Sequence, residues 1–282
     1  MYLCGMTIKG IQDRLYQELA HLYEPDEIQA VFRFYIEIRL NILDSFLFND
    51  DVAEFDTPFF EQDLEELKKG KPVQQVVGFA FFYDYFFKVN EHTLIPRPET
   101  EELIYLITEK YDRNSALKVI DLGTGTGCIP ITISKLFPNA IVHAIDISKE
   151  ALAVARYNNE QLQTNVKFIE QDLLAEFTLE DEYDIIISNP PYIRDLEKKE
   201  MHINVLDHEP HLALFVSDHD PLIFYRRVSE IAVKHLKPEG KIFCEINQYL
   251  GPETKALFNE KFNYAEIHQD ISGNDRILEA SF

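Results

Sequence analysis

Positively charged residues are scarce in this sequence, and acidic residues outnumber them widely. The 282 residues include 27 Lys and Arg against 49 Asp and Glu, which gives a formal net charge of −22 at pH 7. Such a surface repels the phosphate backbone of nucleic acids, so we expect no direct nucleic-acid partner. An acidic protein suits a partner with a basic surface instead.

Cysteines are few, and long apolar runs are missing. Cys4, Cys128 and Cys244 are widely spaced and form no C-x-x-C pattern, which predicts a reducing compartment and no metal site. No apolar run reaches the length of a membrane helix, and residues 1–10 lack the basic start and apolar core of a signal peptide. We therefore expect a cytoplasmic protein without a membrane partner.

The most informative stretch runs from Tyr183 to Tyr192 and reads YDIIISNPPY. Its isoleucines are β-branched and apolar on both faces, as expected for a central parallel strand covered by helices. Pro190 and Pro191 cannot donate to a ladder, so the strand must end there. Asn189 is then placed at the carboxyl edge of the sheet, where open α/β folds bind ligands.

The residues after this strand can hold a planar NH2 group. The side-chain carbonyl of Asn189 and the backbone carbonyl of Pro190 can accept its two hydrogens, and the ring of Tyr192 offers a surface for stacking. An amide or aromatic amine is a weak nucleophile, which reacts better when both N–H bonds are engaged and the nitrogen is aimed. A simple turn is the alternative, because Asn-Pro often begins one.

A second pattern, from Leu117 to Gly127, joins a strand to a glycine-rich turn, and residues 128–137 predict the helix that follows. Glycines allow a ligand to approach the backbone closely, and the helix start favours an anion. The order D-L-G-T-G-T-G differs from the G-x-G-x-x-G of dinucleotide folds. It begins with Asp121, which could accept a hydrogen bond from a ligand ammonium group.

Two further predicted strands also end in acids. The strand 140–145 leads into Asp146, where dinucleotide-binding folds place an acid that binds the two ribose hydroxyls. The strand 166–169 leads to Asp172 and Leu173, which suit the amino group and the face of an adenine ring. A simple helix cap is the alternative for Asp172.

The chain divides into three predicted segments. Residues 1–75 predict a small all-α domain suited to recognising a substrate, whose second helix would run from Pro25 through Leu43. Residues 76–93 predict an aromatic β-hairpin that turns at Tyr83 and Asp84, and residues 94–282 predict an α/β domain.

Near the carboxyl terminus, the pattern predicts a helix over 225–236, a turn at 237–240 and a strand over 241–245. An antiparallel pair over 264–269 and 276–281 would follow.

On its motifs the chain resembles the release-factor glutamine methyltransferases, also called HemK or PrmC, a family of class I S-adenosylmethionine-dependent methyltransferases. The resemblance covers nearly the whole chain. It is carried by the helical start, Gly78 in the hairpin, I-P-R-P-E-T-E at 95–101, D-L-G-T-G-T-G at 121–127, N-P-P-Y at 189–192, the stretch 205–214 and the tail 273–276.

This resemblance implies a doubly wound, seven-stranded methyltransferase sheet behind the helical domain, with the β-hairpin between them. The implied activity is N5-methylation of the glutamine in the Gly-Gly-Gln motif of peptide-chain release factors, a step connected with translation termination. The implied mechanism is direct in-line transfer, with no metal and no covalent enzyme intermediate. We expect a monomer.

The resemblance also assigns site residues by position. The cofactor would be held by Asp121, Gly123, Thr124, Gly125, Thr126, Gly127, Asp146, Asp172, Leu173 and Asn189. The glutamine amide would be held by Asn189, Pro190, Pro191 and Tyr192, among which Asn189, Pro190 and Tyr192 are the expected catalytic residues. The family often has an aromatic residue where this chain has Leu173, and a tyrosine where it has His208. Neither difference affects a residue expected to take part in the methyl transfer.

Three other functions are compatible with these motifs. A sister enzyme that methylates a glutamine of a ribosomal protein differs only in its recognition surface. A DNA adenine-N6 methyltransferase could use N-P-P-Y in the same way, because adenine also presents a planar NH2 group, but the net charge of −22 disfavours DNA binding. A catalytically idle cofactor-binding or scaffold protein is the third, and the intact residues 189–192 speak against it.

The sequence does not assign a single role to Arg97 or to the segment 193–217. Arg97, between two prolines, suits either a salt bridge or a direct role in the site. The segment 193–217 is expected to lie over the substrate site, and its histidines, His202, His208 and His211, lack metal-ligand spacing and are predicted to be solvated.

Overall fold

A computed structural model of the chain describes residues 6–40 and 57–282. By its internal contacts the chain separates into two compact units. The helical unit comprises Met1–Phe79 together with His202–His208, and the sheet unit comprises Ala80–Met201 together with Glu209–Phe282. The predicted end of the second helix at Leu43 lies outside the described residues.

Helices precede the first strand, and strands and helices then alternate. The described helices are α1 (Ile8–Leu19), α2 (Pro25–Leu40), α3 (Thr57–Lys68), α4 (Val73–Val77), α5 (Pro98–Lys110), α6 (Cys128–Leu136), α7 (Lys149–Gln161), α8 (Ile203–His208), α9 (His211–Leu214), α10 (Ile223–His235) and α11 (Gly251–Asn259). The strands are β1 (Phe79–Phe82), β2 (Tyr85–Lys88), β3 (Lys118–Leu122), β4 (Ile141–Asp146), β5 (Lys167–Glu170), β6 (Tyr183–Ser188), β7 (Ile193–Arg194), β8 (Phe215–Val216), β9 (Leu236–Glu245), β10 (Tyr264–Gln269) and β11 (Asp275–Ser281).

The helical unit packs around the apolar stripe of its first helix. Ile11, Leu15 and Leu19 recur at helical spacing and are fully buried. They join one cluster with apolar residues of α2, α3 and α4. Thr7 caps α1, since its hydroxyl accepts a hydrogen bond from the backbone N–H of Gly10.

A buried acid ties three helices of this unit together. Asp63 on α3 accepts a hydrogen bond from the Tyr35 hydroxyl at 2.9 Å and two from the Arg39 guanidinium, at 2.9 and 3.1 Å. Arg39 also donates to the backbone carbonyl of Val76 on α4 at 2.9 Å. These bonds fix α2, α3 and α4 relative to one another.

The segment His202–His208 is part of the helical unit although it follows the sheet strand β6 in sequence. Asn204 donates to the Tyr23 hydroxyl, whose ring stacks with His202, and Gln75 donates to the carbonyl of His208 at 2.9 Å. The His208 ring lies 3.2 Å from the carbonyl of Lys69. His202 is exposed, as predicted, although its ring contacts Tyr23, whereas the prediction of a solvated loop histidine is wrong for His208, which is half-buried at the end of α8.

Seven strands form the main sheet, in the order β10-β11-β9-β6-β3-β4-β5, which confirms the predicted seven-stranded sheet. Strands β3, β4, β5, β6 and β9 are parallel to their neighbours within this set, and β11 is antiparallel to both β9 and β10. Ile185 and Ile187 pack into the core on one face, and Ile186 packs into the core on the other. Helices therefore cover both faces, as the apolar strand predicted.

The two-stranded hairpin is also confirmed, with its turn at Tyr83 and Asp84 between β1 and β2. The predicted turn at 237–240 is wrong, because β9 runs through it from Leu236 to Glu245. Leu236 pairs with Tyr183 and Lys241 with Ile185, so residues 237–240 bulge opposite a single residue of β6. In the described residues no helix is long and apolar enough to cross a membrane.

The Asp63 cluster gives a test of the helical unit. Asp63→Ala removes the acceptor of three hydrogen bonds and leaves the Arg39 charge without its partner, which should cost about 3 kcal/mol. Differential scanning calorimetry of the full chain should show an earlier unfolding transition. Glu65→Ala, which removes an exposed pair with Lys68, is the control and should leave the midpoint nearly unchanged. Equal midpoints for the two variants would contradict the stabilising role of Asp63.

Candidate active site

The parallel strands end at one edge of the sheet, and a cavity of about 360 Å³ lies there. Side chains from separate strand ends meet in its wall because neighbouring parallel strands point the same way. The predicted site residues that line it are Gly123, Gly125, Asp146, Asp172, Leu173, Asn189 and Pro191. Asp121, Thr124, Thr126, Gly127, Pro190 and Tyr192 are not part of the wall.

The glycine-rich loop between β3 and α6 is held against the next strand. The backbone N–H groups of Gly123 and Thr124 both donate to the carbonyl of Ile145 at 2.9 Å. Gly125 has a φ of +53° and Gly127 a φ of +79°, a region that L-residues rarely adopt. A Cβ on Gly127 would also lie 3.2 Å from the Cβ of Ala155, so glycine is required there for close packing.

Asp146 connects this loop to the start of α7. Its Oδ2 accepts from the backbone N–H of Gly125 at 2.8 Å, and its Oδ1 accepts from Ser148 at 2.9 Å. Burial raises the pKa of Asp146, and the backbone N–H groups oppose that rise. Each carboxylate oxygen can still accept a second hydrogen bond, so this side chain can bind ligand hydroxyls at the cavity wall.

Asp121 is the penultimate residue of β3 and a buried acid. It is fully buried, and neither carboxylate oxygen has a hydrogen-bond partner among the described residues. Burial raises its pKa to about 7; the nearby Thr124 hydroxyl opposes that rise, and the charge of Asp146 adds to it. A buried carboxylate without a partner is costly, and a positively charged ligand group nearby would offset that cost.

Asp172 and Leu173 follow β5 and line the cavity. The Oδ1 of Asp172 accepts from the backbone N–H of Leu174 at 2.8 Å and closes a turn. The helix cap considered as the alternative is wrong, because the described residues between β5 and β6 form no helix. Leu173 is buried and presents an apolar surface. A carboxylate that accepts a hydrogen bond within a turn keeps lone pairs, so Asp172 can still bind a ligand.

Asn189 stands at the end of β6 and lines the cavity. Its amide nitrogen donates to the hydroxyl oxygen of Thr100 at 3.2 Å. Its carbonyl oxygen makes no hydrogen bond within the described part of the chain, so it can accept one from a ligand. Pro190 is buried, and its own nitrogen carries no hydrogen to donate.

Tyr192 and Thr100 share one buried acid. The Tyr192 hydroxyl donates to Oε1 of Glu245 at 2.8 Å, and the Thr100 hydroxyl donates to Oε2 at 2.6 Å. Burial raises the pKa of Glu245, while these two hydrogen bonds and the charge of Arg276 oppose that rise. Burial and the Glu245 carboxylate together raise the pKa of Tyr192 well above its usual value, so Tyr192 keeps its proton.

Thr100 and Glu245 were missed in the sequence. Glu245 is the last residue of β9, so its place at a strand end was a usable signal. Thr100 lies in the first turn of α5 inside the I-P-R-P-E-T-E segment, where nothing in the spacing indicates a partner 145 residues away. His92, Leu212 and Phe224 also line the cavity, and they come from segments whose sequence carries no such signal.

Arg97 forms a salt bridge with Glu209, which is almost fully buried. Glu209 also accepts from the backbone N–H of Ile95 at 3.0 Å. These contacts hold the start of α5 to the segment that contributes Pro210 to the cavity wall. Within residues 6–40 and 57–282, no group of three or more His, Cys, Asp or Glu side chains could hold a metal ion.

Known proteins resemble the chain in sequence over nearly its whole length. A model of the family described as methyltransferase small domain matches residues 102–211. The chain is 45% identical to a release factor glutamine methyltransferase of Flavobacterium psychrophilum, over 98% of this chain and all of that protein. It is 42% identical to one from Bacteroides thetaiotaomicron, over 94% of this chain and 96% of the relative.

Solved structures agree at the level of the fold. A crystal structure of a methyltransferase from Pyrococcus furiosus superimposes with a TM-score of 0.51, at 18% identity. The match covers 69% of this chain and 87% of that protein.

Asp121 gives a pH-dependent test of the site. A buried acid with a raised pKa stabilises the folded chain at low pH, and this contribution is lost as the pH rises through about 7. Asp121→Asn is neutral throughout. Its unfolding free energy relative to the wild type should therefore rise, by on the order of 2 kcal/mol, from about pH 5.5 to about pH 8.5.

The measurement is thermal or urea unfolding of both proteins across that range. Asp207→Asn, which changes an exposed acid in the same way, is the control and should show a constant difference. A constant difference for Asp121→Asn as well would contradict the raised pKa.

Proposed function

The chain belongs to the release factor glutamine methyltransferase family, and we propose that it methylates N5 of the glutamine in the Gly-Gly-Gln motif of a peptide-chain release factor. It is a methyltransferase, and S-adenosylmethionine is the proposed methyl donor. The observation that carries the proposal is the position of Asn189. Its carbonyl oxygen is open to a substrate amide in the same cavity that Asp146 lines.

The residues present fit S-adenosylmethionine. Asp121 is a buried acid that lacks a partner among the described residues, which suits the ammonium group of the methionine part. Asp146 keeps acceptor capacity for the two ribose hydroxyls. Asp172 and Leu173 suit the amino group and the face of the adenine ring. The loop from Gly123 to Gly127 allows close approach of the backbone.

When bound, S-adenosylmethionine supplies a methyl group that is already activated by its positively charged sulfur. The chain therefore needs only to position the substrate nitrogen, and positioning can lower a barrier by about 7–11 kcal/mol. Asn189 and the carbonyl of Pro190 each accept one hydrogen of the glutamine amide. Tyr192 lies outside the cavity wall, and its hydroxyl bond to Glu245 holds the segment that carries Asn189.

The proposed partner is a protein. A release factor acts in translation termination, so the enzyme works in the cytoplasm, and its formal charge of −22 favours a basic protein surface over nucleic acid. We propose that it acts as a monomer. The sheet unit carries the chemistry, and the helical unit recognises the substrate.

The function is tested by the transfer of labelled methyl groups from S-adenosylmethionine. We expect label on purified release factor, none on the same factor with the tripeptide glutamine changed to alanine, and none on duplex DNA. A ribosomal-protein fraction should also stay unlabelled. Label on the ribosomal fraction or on DNA alone would contradict the proposed substrate, and label on the altered factor would contradict the proposed position.

The role of Asn189 has its own test. Asn189→Ala removes one of two acceptors of the substrate amide, so turnover should fall by about 10²-fold or more. Cofactor affinity, measured by calorimetry, should change little because most cofactor contacts lie on other strands. Asn259→Ala, an exposed change on α11, is the control and should keep wild-type turnover. Near-normal turnover of Asn189→Ala would contradict the assigned role.

A further inference from the structure

A continuous chain of hydrogen bonds runs from Glu245 to the cavity. Glu245 is 2% exposed and Thr100 is 3% exposed. Thr100 donates its hydroxyl hydrogen to Oε2 of Glu245 at 2.6 Å, and the same hydroxyl oxygen accepts from the amide nitrogen of Asn189 at 3.2 Å. The carboxylate therefore acts on the cavity through one intermediate side chain.

The direction of this chain follows from what each group can donate. Oε2 of Glu245 accepts the hydrogen bond from Thr100, so the single hydroxyl hydrogen of Thr100 is already used. Thr100 can then only accept from Asn189, which must turn its NH2 group toward Thr100. The carbonyl oxygen of Asn189 is left to face the cavity, and this orientation is the one that a substrate NH2 group requires.

The second oxygen of Glu245 holds the other end of the N-P-P-Y segment. Oε1 accepts from the Tyr192 hydroxyl at 2.8 Å. The Asn247 amide donates to the backbone carbonyl of Tyr192 at 2.9 Å, so the tyrosine is held at its ring and at its backbone. Burial raises the pKa of Glu245, and the positive charge of Arg276, itself paired with Asp270, opposes that rise.

We infer that Glu245, through Thr100, is a positioning residue that fixes which way the Asn189 amide faces and so makes the site select an NH2 donor. This inference rests on the proposed function, because it assumes that the substrate group is a glutamine amide. Glu245 does not line the cavity and needs no contact with substrate.

Replacing Glu245 with glutamine reverses the direction of these hydrogen bonds and leaves the shape of the side chain nearly unchanged. The glutamine NH2 can donate to Thr100, Thr100 can donate to the carbonyl of Asn189, and the Asn189 amide then turns its NH2 toward the cavity. Two NH2 groups face each other, so the substrate amide loses an acceptor. A carboxylate in the substrate would gain a donor instead.

The test compares Glu245→Gln, Thr100→Val and Thr100→Ser in the full chain, with release factor as the substrate. For Glu245→Gln and Thr100→Val, kcat should fall by about 10²-fold, while the affinity for S-adenosylhomocysteine stays within about threefold of wild type. Thr100→Ser keeps the hydroxyl and should restore most of the lost turnover. Glu239→Gln, an exposed change on the same strand, should keep wild-type turnover and binding.

A binding readout separates orientation from simple destabilisation. With S-adenosylhomocysteine present, the wild type should bind unaltered release factor more tightly than a factor whose tripeptide glutamine is changed to glutamate. In Glu245→Gln this preference should fall by about tenfold or more, since about 1.4 kcal/mol corresponds to one reversed hydrogen bond.

Two failures are distinguishable. An active wild type with Glu245→Gln and Thr100→Val near wild-type turnover would overturn the inference alone. The inference would also be overturned if Thr100→Ser lost as much turnover as Thr100→Val. It would likewise be overturned if Glu245→Gln kept the wild-type preference for glutamine over glutamate. If Glu245→Gln does not fold, the comparison of Thr100→Val with Thr100→Ser tests the inference. A wild type that methylates no release factor would overturn the proposed function, and the inference with it.

Discussion

The site depends on a constraint of parallel sheets, in which neighbouring strands end at the same edge. Strands β3, β4, β6 and β9 are adjacent or nearly so in the order of the sheet, although more than a hundred residues separate the first from the last. Their carboxyl ends carry Asp121, Asp146, Asn189 and Glu245. The fold therefore brings together a partnerless acid, a hydroxyl-binding acid, an amide and a buried carboxylate without any local sequence motif joining them.

Two of these groups oppose stability. A buried carboxylate such as Asp121 or Glu245 loses its hydration, and the raised pKa of each reflects that loss. Glu245 recovers part of it from two short hydroxyl donors, whereas Asp121 has no partner among the described residues. The apolar faces of the sheet, with Ile185, Ile186 and Ile187 fully buried, allow the fold to tolerate this cost. The chain thus keeps energetically unfavourable buried carboxylates at the place where a ligand and a substrate would bind.

Much of the sheet was predictable, because Ile185 to Ile187 and the prolines that follow mark both the strand and its end. The glycines and acids after β3 and β4 were likewise visible as patterns. Features that depend on contacts between residues far apart in sequence could not be predicted. The bond between Thr100 and Glu245 spans 145 residues, the bulge at 237–240 depends on the partner strand, and the place of His202–His208 in the helical unit depends on Tyr23 and Gln75.

The orientation of one amide is the central claim, and it determines which atom of the substrate is modified. Tandem mass spectrometry of a release factor, after incubation with the chain and S-adenosylmethionine, would locate the added methyl group. We expect a single methyl group on the side-chain nitrogen of the Gly-Gly-Gln glutamine, the atom that Asn189 and Pro190 would present. A methyl group on a carboxylate, on a lysine or on any other residue of the factor would contradict this account of the site.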